Sequence, residues 1–284
     1  MNKLSIAVCT VALLMLPSLG QGLPNPFDVG LGVRAMGFGG AYTALAQGTE
    51  ALLYNPAGLA YLPGIRADSS YSMPMGLYSV AWLAGAMPNF GAGLAYLSAG
   101  GITDPQGDPL TFSHLGAVVG AGFPAEFIPF LARFIPLPTS LGFSLKYTRV
   151  QIADEGGGNL ALDLGAIASL SLPMGQLRLG LAIRDLGPGI GLGERQEAQS
   201  LDVSLGAALV SPQGLLVTAD LAGSYVALGM GWALPQGFEV RGGLTSQGGI
   251  LQISFGFGVA WRSFVLDLSL IHISEPTRLG MTSY

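Results

Sequence analysis

The sequence predicts an all-β chain, a transmembrane antiparallel β-barrel. Three observations carry this. Segment after segment alternates large apolar residues with small or polar ones at a period of two. Charge is scarce: half of the 284 residues are hydrophobic and only 10% are charged, against roughly 25% in a typical soluble domain. Short Pro/Gly connections punctuate the alternating segments.

The N-terminus comes first. Lys3 gives a positive n-region, residues 4–16 an apolar h-region, and Ser18-Leu19-Gly20 a small-x-small cleavage site. This is the layout of a signal peptide over residues 1–20, cut after Gly20. The apolar run is too short to span about 30 Å of hydrocarbon as an anchor. Cys9, the one cysteine, lies in the h-region, so the exported chain is expected to have no disulfide.

The wall is predicted from about residue 64. In TSLGFSLKYTRVQI (139–152), Leu141, Phe143, Leu145 and Tyr147 fall on one side, and Ser140, Gly142, Ser144, Lys146 and Thr148 on the other. Further alternating runs follow at 160–172, 177–184, 201–209, 226–234 and 251–262. A helix has no reason to keep this period, whereas a strand between lipid and a wet interior does. Residues 69–103 include no charged residue, yet Pro88-Asn89 and repeated glycines interrupt them before a helical span is complete. A soluble sandwich would carry more charge on its exposed faces. Backbone groups in lipid must all be paired, so strands cross only as a closed barrel.

Connections fit that reading. Short ones fall at 87–90, 172–175, 211–214 and 234–237; longer ones at 99–111, 153–159 and 186–199. The short set is expected on the periplasmic side and the long set outside the cell. One greasy connection, 124–138, lies on the short side; Phe127, Phe130, Leu131 and Phe134 fit the apolar face of an interfacial helix, and an irregular Pro-rich turn fits as well. About thirteen strand-like segments follow Arg66, one short of an even number. The polar residues expected to face the lumen are Lys146, Asp163, Arg178, Arg184, Asp202, Asp220, Glu239, Arg241 and Arg262.

The tail departs from the pattern. From Ile271 the alternation fails, and Pro276 interrupts it. LSLIHISEPTR resembles the translation of a synthetic adapter used in sequencing libraries, which implies that residues 268–284 are not native and that the last strand is missing or replaced. His114 is then the one remaining histidine, expected in a loop or at an interface. Without a His/Cys cluster or a nucleophile–base pair, no metal, cofactor or enzymatic activity is expected. The net charge of −5 argues against nucleic acid as a partner.

Between signal and wall lies GVRAMGFGGAYTALAQGTEALLYNPAGLAYLP (32–63), which does not alternate. Helical turns are expected over 41–47 and 50–54, with a turn at Asn55-Pro56. The glycines at 37, 39 and 40 lack the βαβ context of a dinucleotide loop. This stretch resembles the N-terminal hatch of FadL-type fatty-acid transporters, and more closely that of PorV/PorQ-like relatives, in a G-x-R-A-x-G-x-G-G-A-Y…NPAGL pattern. The matching residues include Arg34, Gly37, Gly39, Gly40, Tyr42, Asn55, Pro56 and Gly58. Residues 146–165 and 177–190 resemble the same group. The resemblance implies a barrel of about 14 strands over 64–267 in the outer membrane of a Gram-negative bacterium, with residues 21–63 folded into the lumen as a plug. Arg34 and Glu50 are expected to pair with wall charges such as Asp163, Asp202, Asp220, Lys146 or Arg241. Two roles follow from the resemblance: passive passage of hydrophobic or amphipathic small molecules, or binding of secreted protein or secretion machinery in type IX-like export. In either role outer-membrane lipid surrounds the wall.

Overall fold

The structure, a computed structural model, describes residues 25–28, 31–73, 78–103, 109–128, 130, 137–152, 155–192, 195–197, 199 and 201–274. The signal peptide, Cys9 and residues 275–284 lie outside them. The wall strands are β1 (Arg66–Ser72), β2 (Ser79–Met87), β3 (Phe90–Thr103), β4 (Pro109–Pro124), β5 (Thr139–Ile152), β6 (Glu155–Leu172) and β7 (Gly175–Leu186). After a small hairpin, β8 (Ile190–Leu192) and β9 (Arg195–Glu197), the wall continues. Its remaining strands are β10 (Asp202–Val210), β11 (Leu215–Ala222), β12 (Tyr225–Ala233), β13 (Phe238–Gln247), β14 (Ile250–Trp261) and β15 (Phe264–Ser274). Thirteen of these form one sheet in sequence order, each antiparallel to its neighbours, with β1 and β15 at the edges. No described helix is long and apolar enough to cross a membrane.

The two-faced reading of the wall holds residue by residue. Along β5, Phe143, Leu145 and Tyr147 are 51%, 46% and 43% exposed, while Ser144, Lys146 and Thr148 between them are 0%, 1% and 5% exposed. The same contrast recurs on β12, where Leu228, Met230 and Trp232 face outward and Ala227 is buried. Rows of exposed large apolar side chains belong against lipid.

The sheet is rolled around residues 31–63. Gly142 of β5 and Gly165 of β6 touch Pro56 and Asn55; Gly180 of β7 and Gly206 of β10 touch Thr43 and Ala44; Gly229 of β12 and Gly243 of β13 touch Phe38. These glycines are close-approach positions. A Cβ at Gly142 would sit 2.3 Å from the Ala57 nitrogen, and one at Gly243 2.2 Å from the Gly39 nitrogen. A Gly142→Val variant is therefore expected to lose roughly 1–3 kcal/mol or more from overpacking. Gly64→Ala, whose Cβ meets nothing within 4 Å, serves as the neutral control. The loss is read as a lowered midpoint of heat-induced unfolding, followed by gel mobility.

Four expectations are corrected. The connection at 153–159 is mostly strand: Gly156, Gly157 and Gly158 pair with Gln151, Val150 and Arg149, and the Gly158 backbone passes close to the Tyr147 ring. The interior is not polar throughout. Between β2 and β5 the inward residues include Val80, Trp82, Leu97, Phe112, Val118 and Val150, all buried, because this side packs against Phe27, Leu52 and Leu59 as one hydrophobic core. His114 is not a loop residue; it is fully buried on that inward face. The strand pattern also does not stop at Asp267, because β15 pairs with β14 as far as Ser274.

The side-chain alternation of β15 does fail where the sequence reading placed the failure. Leu266, Leu268 and Leu270 are more exposed than Asp267 and Ser269 between them. By strand alternation Ile271 then falls on the lumen face and His272 on the lipid face. The strand count is thirteen, so β1 and β15 run in the same direction. Pairing them would create the sheet's one parallel ladder, and among the described residues they are not hydrogen-bonded to each other. On the 124–138 connection, Ala125–Phe127 forms a 3-10 turn with Phe127 exposed; residues 131–136 lie outside the described set.

Candidate functional site: a plugged lumen

The hatch is built from short pieces: α1 (Val33–Gly37), a 3-10 turn (Gly48–Glu50) running into α2 (Ala51–Tyr54), and a second 3-10 turn (Pro56–Tyr61). The expected turn at 50–54 is helical, whereas the expected helix at 41–47 is absent. Its backbone groups are taken by the wall. The Tyr42 and Thr43 N–H groups both donate to Asp220 Oδ2, at 2.9 and 2.8 Å, and Thr218 Oγ1 donates to the Ala41 carbonyl at 3.0 Å. A helix would need the Ala41 carbonyl for its own ladder, whereas the Tyr42 and Thr43 N–H groups would lie in its first turn and need an outside acceptor in any case.

The G-x-G-G motif serves the backbone. Gly39 and Gly40 have φ of +69° and +79°, a conformation costly for residues with a Cβ. They turn the chain out of α1 and lay it flat on β13. Asn55 is fully buried. Its amide nitrogen is shared among the carbonyls of Thr43 (3.0 Å), Ala166 (3.2 Å) and Leu181 (3.3 Å), and its Oδ1 caps the following turn at the Ala57 N–H, 3.2 Å away. This one side chain thus ties two parts of the hatch to β6 and β7. Pro56 opens the capped turn, where its missing N–H costs nothing. Gly58 lets Ala46 approach; a Cβ there would be 2.2 Å from the Ala46 carbonyl oxygen.

Two charge networks join hatch and wall. In the first, Arg34 grips Glu239 with two parallel hydrogen bonds, Nε to Oε2 at 3.0 Å and Nη2 to Oε1 at 2.9 Å. Its Nη1 donates to the Tyr42 hydroxyl at 3.0 Å. Glu239 also accepts from Arg241 at 3.1 Å, and Arg241 reaches Asp267 at 2.6 Å. The chain Arg34–Glu239–Arg241–Asp267 is charge-balanced and runs from the hatch across β13 to β15. Arg34 thus pairs with Glu239 and not with the wall charges expected of it. Glu50 stays within the hatch, accepting from the Arg34 N–H at 3.1 Å, and burial pushes its carboxyl above the usual range.

The second network lies on the opposite wall. Lys146 is held by Asp163 at 2.8 Å and Asp185 at 3.2 Å, with all three side chains at least nine-tenths buried. Asp163 also accepts from the Asp185 N–H at 2.9 Å and from Ser144 Oγ at 3.1 Å. Beside it, Arg184 pairs with Asp202 and donates to the Leu53 carbonyl of the hatch at 3.2 Å. Phe27 packs edge-on against Trp82 and lies 5.4 Å from Lys146 Nζ. The N-terminal segment therefore sits where the apolar wall meets the charged one.

Of the polar residues expected in the lumen, Lys146, Asp163, Arg178, Arg184, Asp202, Asp220, Glu239 and Arg241 all face it. Arg262 does not. It occupies the β14–β15 turn with φ of +55° and lays its guanidinium 5.2 Å from the Trp261 ring centroid; the alternation simply ends one residue earlier. Asp185, Asp267 and Phe27 were not picked out by the sequence. Asp185 sits at a break in β6–β7 pairing, where the register shifts between Leu162 and Leu164 and its own φ is +61°, so period-two counting fails there. The described residues contain no group of three or more His, Cys, Asp or Glu placed to hold a metal.

Comparison with known proteins shows the fold. A crystal structure of a FadL homologue from Pseudomonas aeruginosa superposes with a TM-score of 0.53, at 11% identity, over 88% of this chain and 89% of that one. No protein-family model and no curated protein matches. At 11% identity the likeness speaks to architecture: an outer-membrane type of β-barrel, with nearly the whole of each chain included.

Proposed function

We propose that this chain is an outer-membrane barrel for passive passage of hydrophobic or amphipathic small molecules, plugged by its own N-terminal hatch. The observation that carries this is the apolar inward strip between β2 and β5. Val80, Trp82, Leu97, Phe112 and Val150 are buried on it, and it lies toward the β2–β5 strand ends opposite the short turns. A channel for hydrated ions has no use for such a strip, whereas a greasy solute gains from each apolar contact along it once Phe27, Leu52 and Leu59, which cover it in this structure, move aside. The FadL-like architecture supports the same reading. Flux in this reading runs down a gradient.

The test is uptake. Cells displaying the protein are expected to take up a labelled long-chain fatty acid several-fold faster than cells without it. A second reading, a barrel that holds an exported protein for type IX-like secretion, rests on the PorV/PorQ-like hatch motif. No gain in uptake together with a secreted protein co-purifying with the folded barrel favours that reading instead.

The tail from Leu268 is proposed to be foreign to the gene. Its resemblance to adapter sequence and the inversion of faces at Ile271 and His272 support this. Resequencing the gene across codon 268 is expected to give a different, alternating continuation.

A further inference from the structure

Among the described residues, the other cations on the inward wall and the hatch have a carboxylate within 4 Å: Arg34 has Glu239, Lys146 has Asp163 and Asp185, Arg184 has Asp202, and Arg241 has Glu239 and Asp267. Arg178 of β7 faces the same interior, yet no carboxylate of the described residues pairs with it. Its guanidinium stacks over the Tyr61 ring of the hatch, 5.2 Å from the centroid. Its Nε donates to Gln176 Oε1 at 3.0 Å. Tyr61 is itself fixed, its hydroxyl donating to the Ile167 carbonyl at 3.3 Å. The stack and the Nε bond orient the guanidinium, while Nη1 and Nη2 make no further hydrogen bond to a described side chain.

A second observation lies directly across the ladder. Ser169 of β6 is the register partner of Arg178. It is 8% exposed on the inward face, and its Oγ is buried with no hydrogen-bond partner. Buried hydroxyls are rarely left unpaired without a reason. A guanidinium with free N–H groups and a hydroxyl, both without an acceptor among the described residues and on register-partner positions, are donors of the kind an oxyanion takes. The position is also significant. Arg178 is three residues into β7 from the short turn that precedes Gly175, and Tyr61 ends the hatch just before β1. The pair sits at the mouth where the hatch meets the short-turn side of the barrel.

Resting on the passage reading above, we infer that Arg178, Ser169 and Tyr61 form a subsite for the anionic head, a carboxylate or phosphate, of an amphipathic solute at the hatch-side mouth of the lumen. The apolar strip toward the other mouth accommodates a tail when the hatch residues that cover it move aside. The subsite gives the head a place to dwell after the tail has left the strip, so it sets preference among amphiphiles rather than the ability to pass them.

The full chain in lipid nanodiscs tests this with two probes, a pyrene-labelled twelve-carbon carboxylate and its methyl ester. The carboxylate is expected to bind about tenfold more tightly than the ester, the worth of a charge-assisted fork. Arg178→Gln is expected to abolish that preference and leave ester binding unchanged. Equal binding of both probes to the unaltered protein, or a preference that survives Arg178→Gln, overturns the subsite while leaving passage intact. Failure of both probes to bind overturns passage, and the subsite with it. Displacement of the carboxylate by inorganic phosphate assigns the site to free oxyanions in general. Resistance to phosphate assigns it to tethered heads, and both results support an anion site. Should Arg178→Gln fail to fold, phenylglyoxal labelling of Arg178 in the unaltered protein decides the matter: the carboxylate is expected to slow labelling and the ester is not, and equal rates overturn the proposal.

Discussion

Lys146→Met is expected to destabilise the folded barrel by about 3–5 kcal/mol, the cost of leaving buried carboxylates without their cation. Asp163 and Asp185 both lean on this one ammonium group, and both side chains are almost fully buried. The methionine fits the space, so the loss is electrostatic and not a cavity. The double variant Lys146→Met with Asp163→Asn is expected to recover part of the loss, because one of the two orphaned charges is gone. Unfolding in urea from detergent micelles, followed by tryptophan fluorescence, measures both. A Lys146→Met protein as stable as the unaltered chain would mean that the two aspartates are protonated or hydrated, and that the network carries no structural weight.

Removing residues 33–61 is expected to raise single-channel conductance in planar bilayers by an order of magnitude or more, since a wall of this strand number leaves a water-filled hole once its plug is gone. A milder form of the same experiment cuts one tether. Asp220→Ala frees the Tyr42 and Thr43 N–H groups and is expected to give intermittent openings on a mostly closed baseline. An unchanged conductance after removal of the whole segment would show that the wall collapses on itself and that the hatch is not what closes it.

Much of this architecture is legible in the sequence because lipid enforces a simple rule. A strand with oil on one side must alternate, so Phe143, Leu145 and Tyr147 against Ser144, Lys146 and Thr148 could be sorted without coordinates. The rule says nothing about what the inner face touches. Val80, Trp82 and Leu97 alternate with Ala81, Leu83 and Tyr96, apolar on both sides, because on that flank the hatch supplies a dry core where a wet lumen was expected. The motif of the hatch was visible, but not its conformation. Residues 41–47 read as helical by local preference, and it is Thr218, 177 positions from Ala41 in the chain, that takes up a carbonyl the helix would need. Asp185 escaped for a related reason: one shift in register moves a side chain to the other face. Arg262 was assigned inward by continuing an alternation across the turn that ends it.

Lipid accessibility along β5 tests the two-faced wall most directly. Single cysteines carrying a nitroxide at 143, 144, 145, 147, 148 and 149, in a chain with Cys9 removed, report contact with dissolved oxygen, which concentrates in lipid, and with a water-soluble nickel chelate. The structure predicts high oxygen contact at 143, 145, 147 and 149, low contact at 144 and 148, and therefore a strict period of two. A period near 3.6, or uniform accessibility along the segment, would contradict the barrel and every role assigned to its interior.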